Sequence, residues 1–178
     1  MKLLRTIQLD QSDTFVFDPV AKPGEWAVSG AFAFWSGDPA KLEGKARIAF
    51  RSGFLGVASL GWSTLVQVVE ATEVDRANLV EALARQLCER FGAPDLQTAA
   101  AAAEEEVAFV ESLCTQPRDT LIAVHRTYDD GNVREAFRTL RPREGAKPAR
   151  AFSFLEVEGD EEPGEMVDLI GLAERERK

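Results

Sequence analysis

The stretch TLIAVHRTYDDGNVREAFRTL, residues 120–140, decides most of the fold. Two runs rich in β-forming residues flank Asp130-Gly131. Asp-Gly between alternating apolar residues is a strong hairpin signal, because both turn residues need a positive φ. With this pair as the turn, Asp129 faces Asn132, and every other cross-strand pair follows from that register. The stretch therefore predicts a two-stranded hairpin with a defined register.

The predicted register divides the hairpin into two faces. One face is mostly apolar and carries an opposite-charge pair, Arg126 with Glu135. The other face carries the only histidine of the chain together with basic and hydroxyl side chains, namely His125, Thr127, Arg134 and Arg138. We expect the first face to pack on a core and the second to be wetter and basic.

The composition is that of an ordinary globular chain. Its 178 residues suffice for one domain with a core, and its 45% hydrophobic and 29% charged fractions are typical of folded proteins. The net charge of −9 argues against a general binder of nucleic acid or of anionic membranes, since both need basic surface. We therefore expect neither of them as a partner.

The cysteines and the N-terminal residues indicate in which cellular compartment the protein is expected. Cys88 and Cys114 form no CxxC motif and no Cys/His cluster, so we interpret both as buried free thiols in a reducing compartment. The charged residues Arg5 and Asp10 interrupt the N-terminal run, so it lacks the apolar segment that a signal peptide needs. No apolar run approaches the ~20 residues of a membrane span. These features predict a cytoplasmic protein.

Periodicity and turn residues predict the order of the elements. Besides the hairpin, strands are expected at residues 3–9, 15–17, 26–35, 65–71 and 151–158. Helices are expected after capping signals at Asp38-Pro39, Thr72 and Asp95, and the first has apolar residues at helical spacing from Leu42 to Phe54. The glycine-rich run GFLGVASLGWS, residues 53–63, is read as a helix end and a loop.

Consecutive strands joined by short turns imply antiparallel pairing. The sequence thus predicts a single α+β domain over residues 1–160, with a mixed, mostly antiparallel sheet and about three helices packed on one face. Residues 161–178 are expected to form an acidic linker and a short C-terminal amphipathic helix or tail.

The polar face of the hairpin is the candidate binding site. His125, Thr127, Arg134 and Arg138 could hold an anionic ligand, with the arginines as clamps and His125 as acid or base. The alternative is a solvated polar face without a binding role. We favour this alternative because one histidine without a nucleophile or a carboxylate partner does not form a catalytic site. No catalytic set, metal site or cofactor is expected, since the cysteine spacing and the single histidine do not suit a metal.

Three other features of the sequence are better explained by a structural role than by a functional site. The glycine-rich run lacks the GxGxxG and GK[ST] patterns of phosphate loops. The acidic run at residues 104–106 points in several directions on a helix, which indicates a solvated face. Several aromatic residues could line an apolar pocket or a partner surface, but a chain of this size needs most of them for its core: Trp26, Phe32, Phe34, Trp35 and Trp62.

Three stretches carry a resemblance to a known family: FLGVASLGWSTLVQVVEAT, ERFGAPDL and HRTYDDGNVREAFRTLRPRE. They resemble a small uncharacterised bacterial family, and the resemblance covers most of the chain. That family has no assigned activity and no catalytic residues to carry over. The resemblance also suggests an accessory factor for a bacterial redox metalloenzyme, which no residue of this chain supports.

The expected function is therefore that of a cytoplasmic accessory or binding protein, not an enzyme, with an unidentified protein or a second copy of the chain as partner. Two alternatives stay open. One is a binder of an anionic small molecule, or a minor enzyme, that uses the His125 face. The other is the metalloenzyme accessory factor.

Overall fold

A computed structural model describes residues 1–142 and 155–158. In that part of the chain the strands are β1 Lys2–Ile7, β2 Trp26–Val28, β3 Phe54–Gly56, β4 Trp62–Ser63, β5 Leu65–Glu70, β6 Leu121–Asp129, β7 Asn132–Pro142 and β8 Leu155–Glu158. The α-helices are α1 Ser12–Val16, α2 Gly44–Ser52, α3 Glu73–Arg90 and α4 Leu96–Leu113. Two 3₁₀ helices span Ala31–Phe34 and Pro39–Lys41.

The strands form one sheet in the order β4-β3-β2-β1-β5-β6-β7-β8. Every neighbouring pair is antiparallel, as expected for strands joined by short connections. The α+β class with a mostly antiparallel sheet is therefore confirmed. The central position predicted for the strand at residues 65–71 is also confirmed, because β5 pairs with β1 on one side and β6 on the other.

The hairpin has the predicted register throughout. β6 and β7 pair from Asp129 with Asn132 to Leu121 with Leu140. Asp130 and Gly131 form the turn with φ values of 48° and 80°. The two faces differ as predicted, since Arg126 is fully buried whereas the His125 face is exposed.

The sheet curls back on itself around its apolar face. The registers place Leu4, Val66, Val68, Ile122 and Val124 on one face, and all of them are buried. β3 and β7 are separated by four strands in the sheet order, yet the rings of Phe54 and Phe137 lie 6.1 Å apart. Phe109 of α4 also packs on Phe137, at 5.6 Å. The core therefore lies inside the curl, with α4 against it.

Helices α3 and α4 begin and pack as their sequences predict. Thr72 and Asp75 form a complete capping box at the start of α3, and Asp95 accepts a hydrogen bond from the Thr98 amide at the start of α4. The helices bury apolar stripes at helical spacing: Leu79, Val80, Leu83, Ala84 and Leu87 on α3, and Ala99, Ala103, Val107 and Val110 on α4. No helix among the described residues is both long and apolar enough to cross a membrane.

One predicted strand is wrong and another is too long. Residues 15–17 were expected to be extended, but they follow a turn that Asp10 closes by accepting from the Ser12 amide, and Ser12–Val16 is helical. The strand expected over residues 26–35 ends at Val28. Gly30 then takes a left-handed φ of 78° and turns the chain into a 3₁₀ helix. A Cβ at Gly30 would lie 2.5 Å from the Leu55 Cβ, so a distant strand enforces this turn.

Two further boundaries differ from the prediction. Asp38 caps a short 3₁₀ helix, not the start of a long one, and α2 begins separately at Gly44. Phe54, expected at the end of that helix, begins β3, and the glycine-rich run forms the β3–β4 hairpin instead of a loop. β8 matches the end of the strand expected at residues 151–158. The predicted domain boundary and C-terminal helix lie outside the described residues.

Candidate functional site

A cavity of about 620 Å³ lies between the 3₁₀ helix Ala31–Phe34 and the turn that joins α3 to α4. This volume is in the range of pockets that hold small organic molecules. The cavity exists because Gly30 ends β2 early and directs the following aromatic residues toward the helix pair.

The walls of the cavity combine aromatic rings with small side chains. Phe32 and Phe91 meet edge to face with ring centroids 5.2 Å apart, and Trp35 is 78% exposed beside them. Ala99 and Ala102 of α4 also line the cavity, and their small side chains leave room beside that helix. The arrangement suits a flat apolar group placed against the aromatic faces.

Glu106 supplies the least exposed carboxylate that lines this cavity. Its Oε1 accepts a hydrogen bond from the Gly30 amide at 3.1 Å, which ties α4 to the end of β2. Burial raises the pKa of Glu106, and nearby Glu135 adds to this effect. The Gly30 amide and Arg126 act in the opposite direction. Glu106 is therefore a partly desolvated acid at the wall of an apolar cavity.

Arg126 lies behind Glu106 and is fully buried. Its Nε donates to Glu135 Oε1 at 2.6 Å, and Nη1 donates to the carbonyls of Phe50 and Gly53 at 3.1 and 2.7 Å. Nη2 donates to the Ser29 carbonyl and to Ser29 Oγ. All five N–H donors of the guanidinium thus have acceptors.

The Arg126 network joins distant parts of the curled sheet. It connects β6 and β7 to the end of α2 and to the residue after β2, and Ser29 Oγ also donates to Glu135. Burial lowers the pKa of Arg126 while the Glu135 carboxylate opposes that effect. An arginine stays protonated under such conditions. The predicted opposite-charge pair therefore serves as a buried polar junction beneath the cavity.

The side chains of the sequence-predicted site lie on the opposite face of the hairpin. His125, Thr127, Arg134 and Arg138 are all exposed and share that face. A shallow hollow of about 300 Å³ is lined by Ala123, Val124, His125 and Arg138. Thr127 and Arg134 do not line it. The structure thus brings together two of the four residues beside a concave surface.

The predictions for the aromatic and acidic runs need correction at particular residues. Trp62 is buried and stacks on Phe34, in line with a core role, whereas Phe32 and Trp35 line the cavity. Glu104 and Glu105 are exposed, as a solvated face requires. Glu106 is not, because it turns inward to the Gly30 amide.

Sequence reasoning missed Glu106, although a signal was present. Ala99, Ala103, Val107 and Val110 recur at helical spacing and define the buried stripe of α4. Glu106 lies three residues after Ala103 and four before Val110, so it belongs to the edge of this stripe. An acid at such a position faces the core side of the helix.

Other chemical groups do not gather into a second centre in the described part of the chain. No group of His, Cys, Asp or Glu residues there could hold a metal ion. Cys88 and Cys114 are both free thiols, the second of them buried. Burial raises the pKa of Cys114 to about 12, which suits a core thiol and not a nucleophile.

Together these features define an α+β protein with a curled antiparallel sheet and an aromatic cavity whose wall carries one partly buried acid. The chain belongs to a family of unknown function, DUF6505, whose sequence model matches residues 1–153. That match includes every residue that lines the cavity and the whole predicted hairpin. Neither a curated protein nor a solved structure matches the chain.

Proposed function

We propose that this protein is a non-catalytic binding protein and that the cavity beside Phe32, Trp35 and Phe91 is its site for a small organic molecule. The observation that carries the proposal is a volume of about 620 Å³ lined by three aromatic rings together with several alanines. Aromatic walls with a few polar groups are the usual composition of small-molecule sites.

The polar groups of the cavity support binding better than catalysis. Serine, threonine, arginine and glutamate side chains line it, whereas no cysteine or histidine does. Glu106 accepts from a backbone amide and does not contact a side chain that it could activate as a nucleophile. A fixed acid in an apolar cavity is suited to orient a ligand.

The proposal can be tested with the neutral fluorescent probe N-phenyl-1-naphthylamine. Ala102 lines the cavity and is exposed on α4, so Ala102→Trp fills the space without disturbing the core. Ala101→Trp places the same side chain on the same helix outside the cavity and is the matched control. We expect saturable fluorescence enhancement with the native chain and with Ala101→Trp, and its loss in Ala102→Trp.

Equal enhancement in both variants, or none in the native chain, would overturn the proposed function. Circular dichroism of the two variants checks that the added tryptophan leaves the helices intact. Tryptophan emission offers a second readout, because Trp35 is exposed at the cavity and a bound aromatic probe would quench it.

A second site has one observation in its favour, namely the hollow that brings His125 and Arg138 together. An anionic group there would pair with Arg138 and could accept a hydrogen bond from the His125 ring. Replacing Arg134 and Arg138 by alanine tests this site. Unchanged thermal shifts across a set of anionic metabolites would exclude an anion site on this face.

The proposal places the protein in the cytoplasm. Its support is the pair of free thiols, one of them sealed in the core, because such cysteines persist unpaired in reducing compartments. Fractionation of native cells with an antibody against the chain tests the location, and recovery from an oxidising compartment would contradict it.

A further inference from the structure

We propose that the cavity takes an organic ammonium ion with an aromatic body, the cation lying at Glu106 and the ring lying against Phe32, Phe91 and Trp35. This inference rests on the proposed function and specifies its ligand class. It depends on how the charges around the cavity are already paired.

The buried arginine leaves Glu106 without a direct cationic partner. Every N–H of Arg126 is directed to Glu135, to Ser29 or to the carbonyls of Phe50 and Gly53 at the end of α2. Glu106 forms no ion pair within residues 1–142, and its Oε1 accepts a hydrogen bond from the Gly30 backbone amide. A partly desolvated carboxylate in this position gains from a cation that the ligand brings.

The other charged groups near the cavity do not reverse the preference of Glu106 for a cationic ligand. Arg126 and Glu135 lie behind Glu106 and neutralise one another through their hydrogen-bonded ion pair. Arg90 and Glu105 also line the cavity, but both are exposed and opposite in sign, so solvent screens them. Glu106 is the charged lining group that water screens least, and it is negative.

The aromatic wall adds to the selectivity for a cation. Ring faces carry negative potential and attract ammonium groups within about 6 Å of the ring centroid. Phe32 and Phe91, which meet edge to face, and the exposed Trp35 all line the cavity that Glu106 lines. Apolar area and cation recognition therefore occur in one cavity.

Three probes of equal ring size separate charge from apolar contact: 2-naphthylmethylamine, 2-naphthalenemethanol and 2-naphthoic acid. We expect calorimetry to show that the protonated amine binds at least about tenfold more tightly than the alcohol, as a charge-assisted hydrogen bond supplies. Glu106→Gln should remove this preference while the alcohol keeps its affinity. Glu89→Gln, an equal charge change on α3 outside the cavity, should retain it.

The pH dependence of the affinity for the amine gives a second test of the contact between the ammonium group and Glu106. Because the pKa of Glu106 is raised, lowering the pH should protonate it sooner than an ordinary carboxyl, and the affinity for the amine should fall accordingly. The charged neighbours that face it are Arg126, Glu135, Glu105 and Arg90. The Glu106→Gln variant should lack this fall.

The outcomes distinguish a failure of the ammonium inference from a failure of the proposed small-molecule binding. If N-phenyl-1-naphthylamine binds and Ala102→Trp blocks it, but the alcohol or the acid binds as tightly as the amine, the ammonium inference fails and the proposed function stands. Tighter binding of the acid would assign the ligand to Arg90. If N-phenyl-1-naphthylamine does not bind the native chain, the proposed function and the ammonium inference that rests on it are both overturned.

Discussion

At the scale of single residues, Arg126 is the side chain on which the most contacts depend. Removing a fully buried guanidinium takes one of two donors from Glu135 and the side-chain donor from the carbonyls of Ser29, Phe50 and Gly53. Arg126→Met should therefore lower the free energy of unfolding by about 3–5 kcal/mol in urea titrations. Arg134→Met, the same change on the exposed face of the same hairpin, should stay within about 0.5 kcal/mol. Similar losses for the two variants would contradict the importance of the buried junction.

Glu106 should make stability depend on pH with a definite sign. Its folded-state pKa lies above the unfolded value, so the folded state holds the proton more tightly. Native stability is therefore reduced once the pH rises above the unfolded pKa, and the loss is complete above the folded pKa. Glu106→Gln removes the titration, so this variant should become progressively more stable than the native chain as pH rises from the ordinary carboxyl pKa of about 4 to the raised folded-state pKa of Glu106.

Urea titrations across that pH range check the Glu106 prediction. Glu89→Gln, on an exposed part of α3, makes the same change in charge and should show no such trend. A difference between Glu106→Gln and the native chain that stays constant with pH would show that Glu106 is solvated like a surface carboxyl. The measurement needs no ligand, so it tests the electrostatics of the cavity wall alone.

At the scale of elements, the hairpin turn is the clearest case of local control. Gly131 has a φ of 80°, and no other atom lies within 4 Å of the position that a Cβ would occupy. Gly131→Ala should therefore cost about 1 kcal/mol of stability through backbone strain alone. Asp130→Gly, at a φ of 48°, relieves strain in the same turn and should cost less. Equal costs in denaturant titrations would contradict this account.

The elements that the sequence predicts correctly are those set by neighbouring residues. Asp130-Gly131 determines the hairpin register, and Thr72 with Asp75 determines where α3 begins, each within a few residues of chain. The strand expected over residues 26–35 fails because Gly30 turns under the constraint of Leu55, which comes from β3. Alternating apolar residues do not reveal such a constraint.

The candidate site follows the same division between local and distant contacts. Register alone placed Arg126 opposite Glu135, and that pair exists. The cavity acid could not be placed in this way, because Glu106 meets the Gly30 amide across a separation of 76 residues. Helical spacing indicates that Glu106 faces inward, whereas only the curl of the sheet determines what it meets.

At the scale of the whole molecule, the curled sheet joins the core, the buried Arg126 junction and the cavity, so we expect them to unfold together as one cooperative unit. The Arg126 network closes the sheet where β2 and β7 approach, and α4 lies against both the core and the cavity. Ligand binding at the cavity should therefore stabilise the entire fold by mass action and not only the α3–α4 turn. A buried thiol distant from the cavity can report such global opening.

Cys114 at the end of α4 is that thiol. Its pKa of about 12 leaves a thiolate fraction of about 1 in 10,000 at pH 8, and its side chain is buried. In a Cys88→Ser background, a disulfide reagent such as 5,5′-dithiobis(2-nitrobenzoate) should react with Cys114 only after the fold opens. Adding Arg126→Met should accelerate that reaction about 100-fold or more, since labelling follows the population of the open form. A reaction rate that does not respond to Arg126→Met would mean that Cys114 is reached by local fraying of α4, and the junction would not hold the molecule together as one unit.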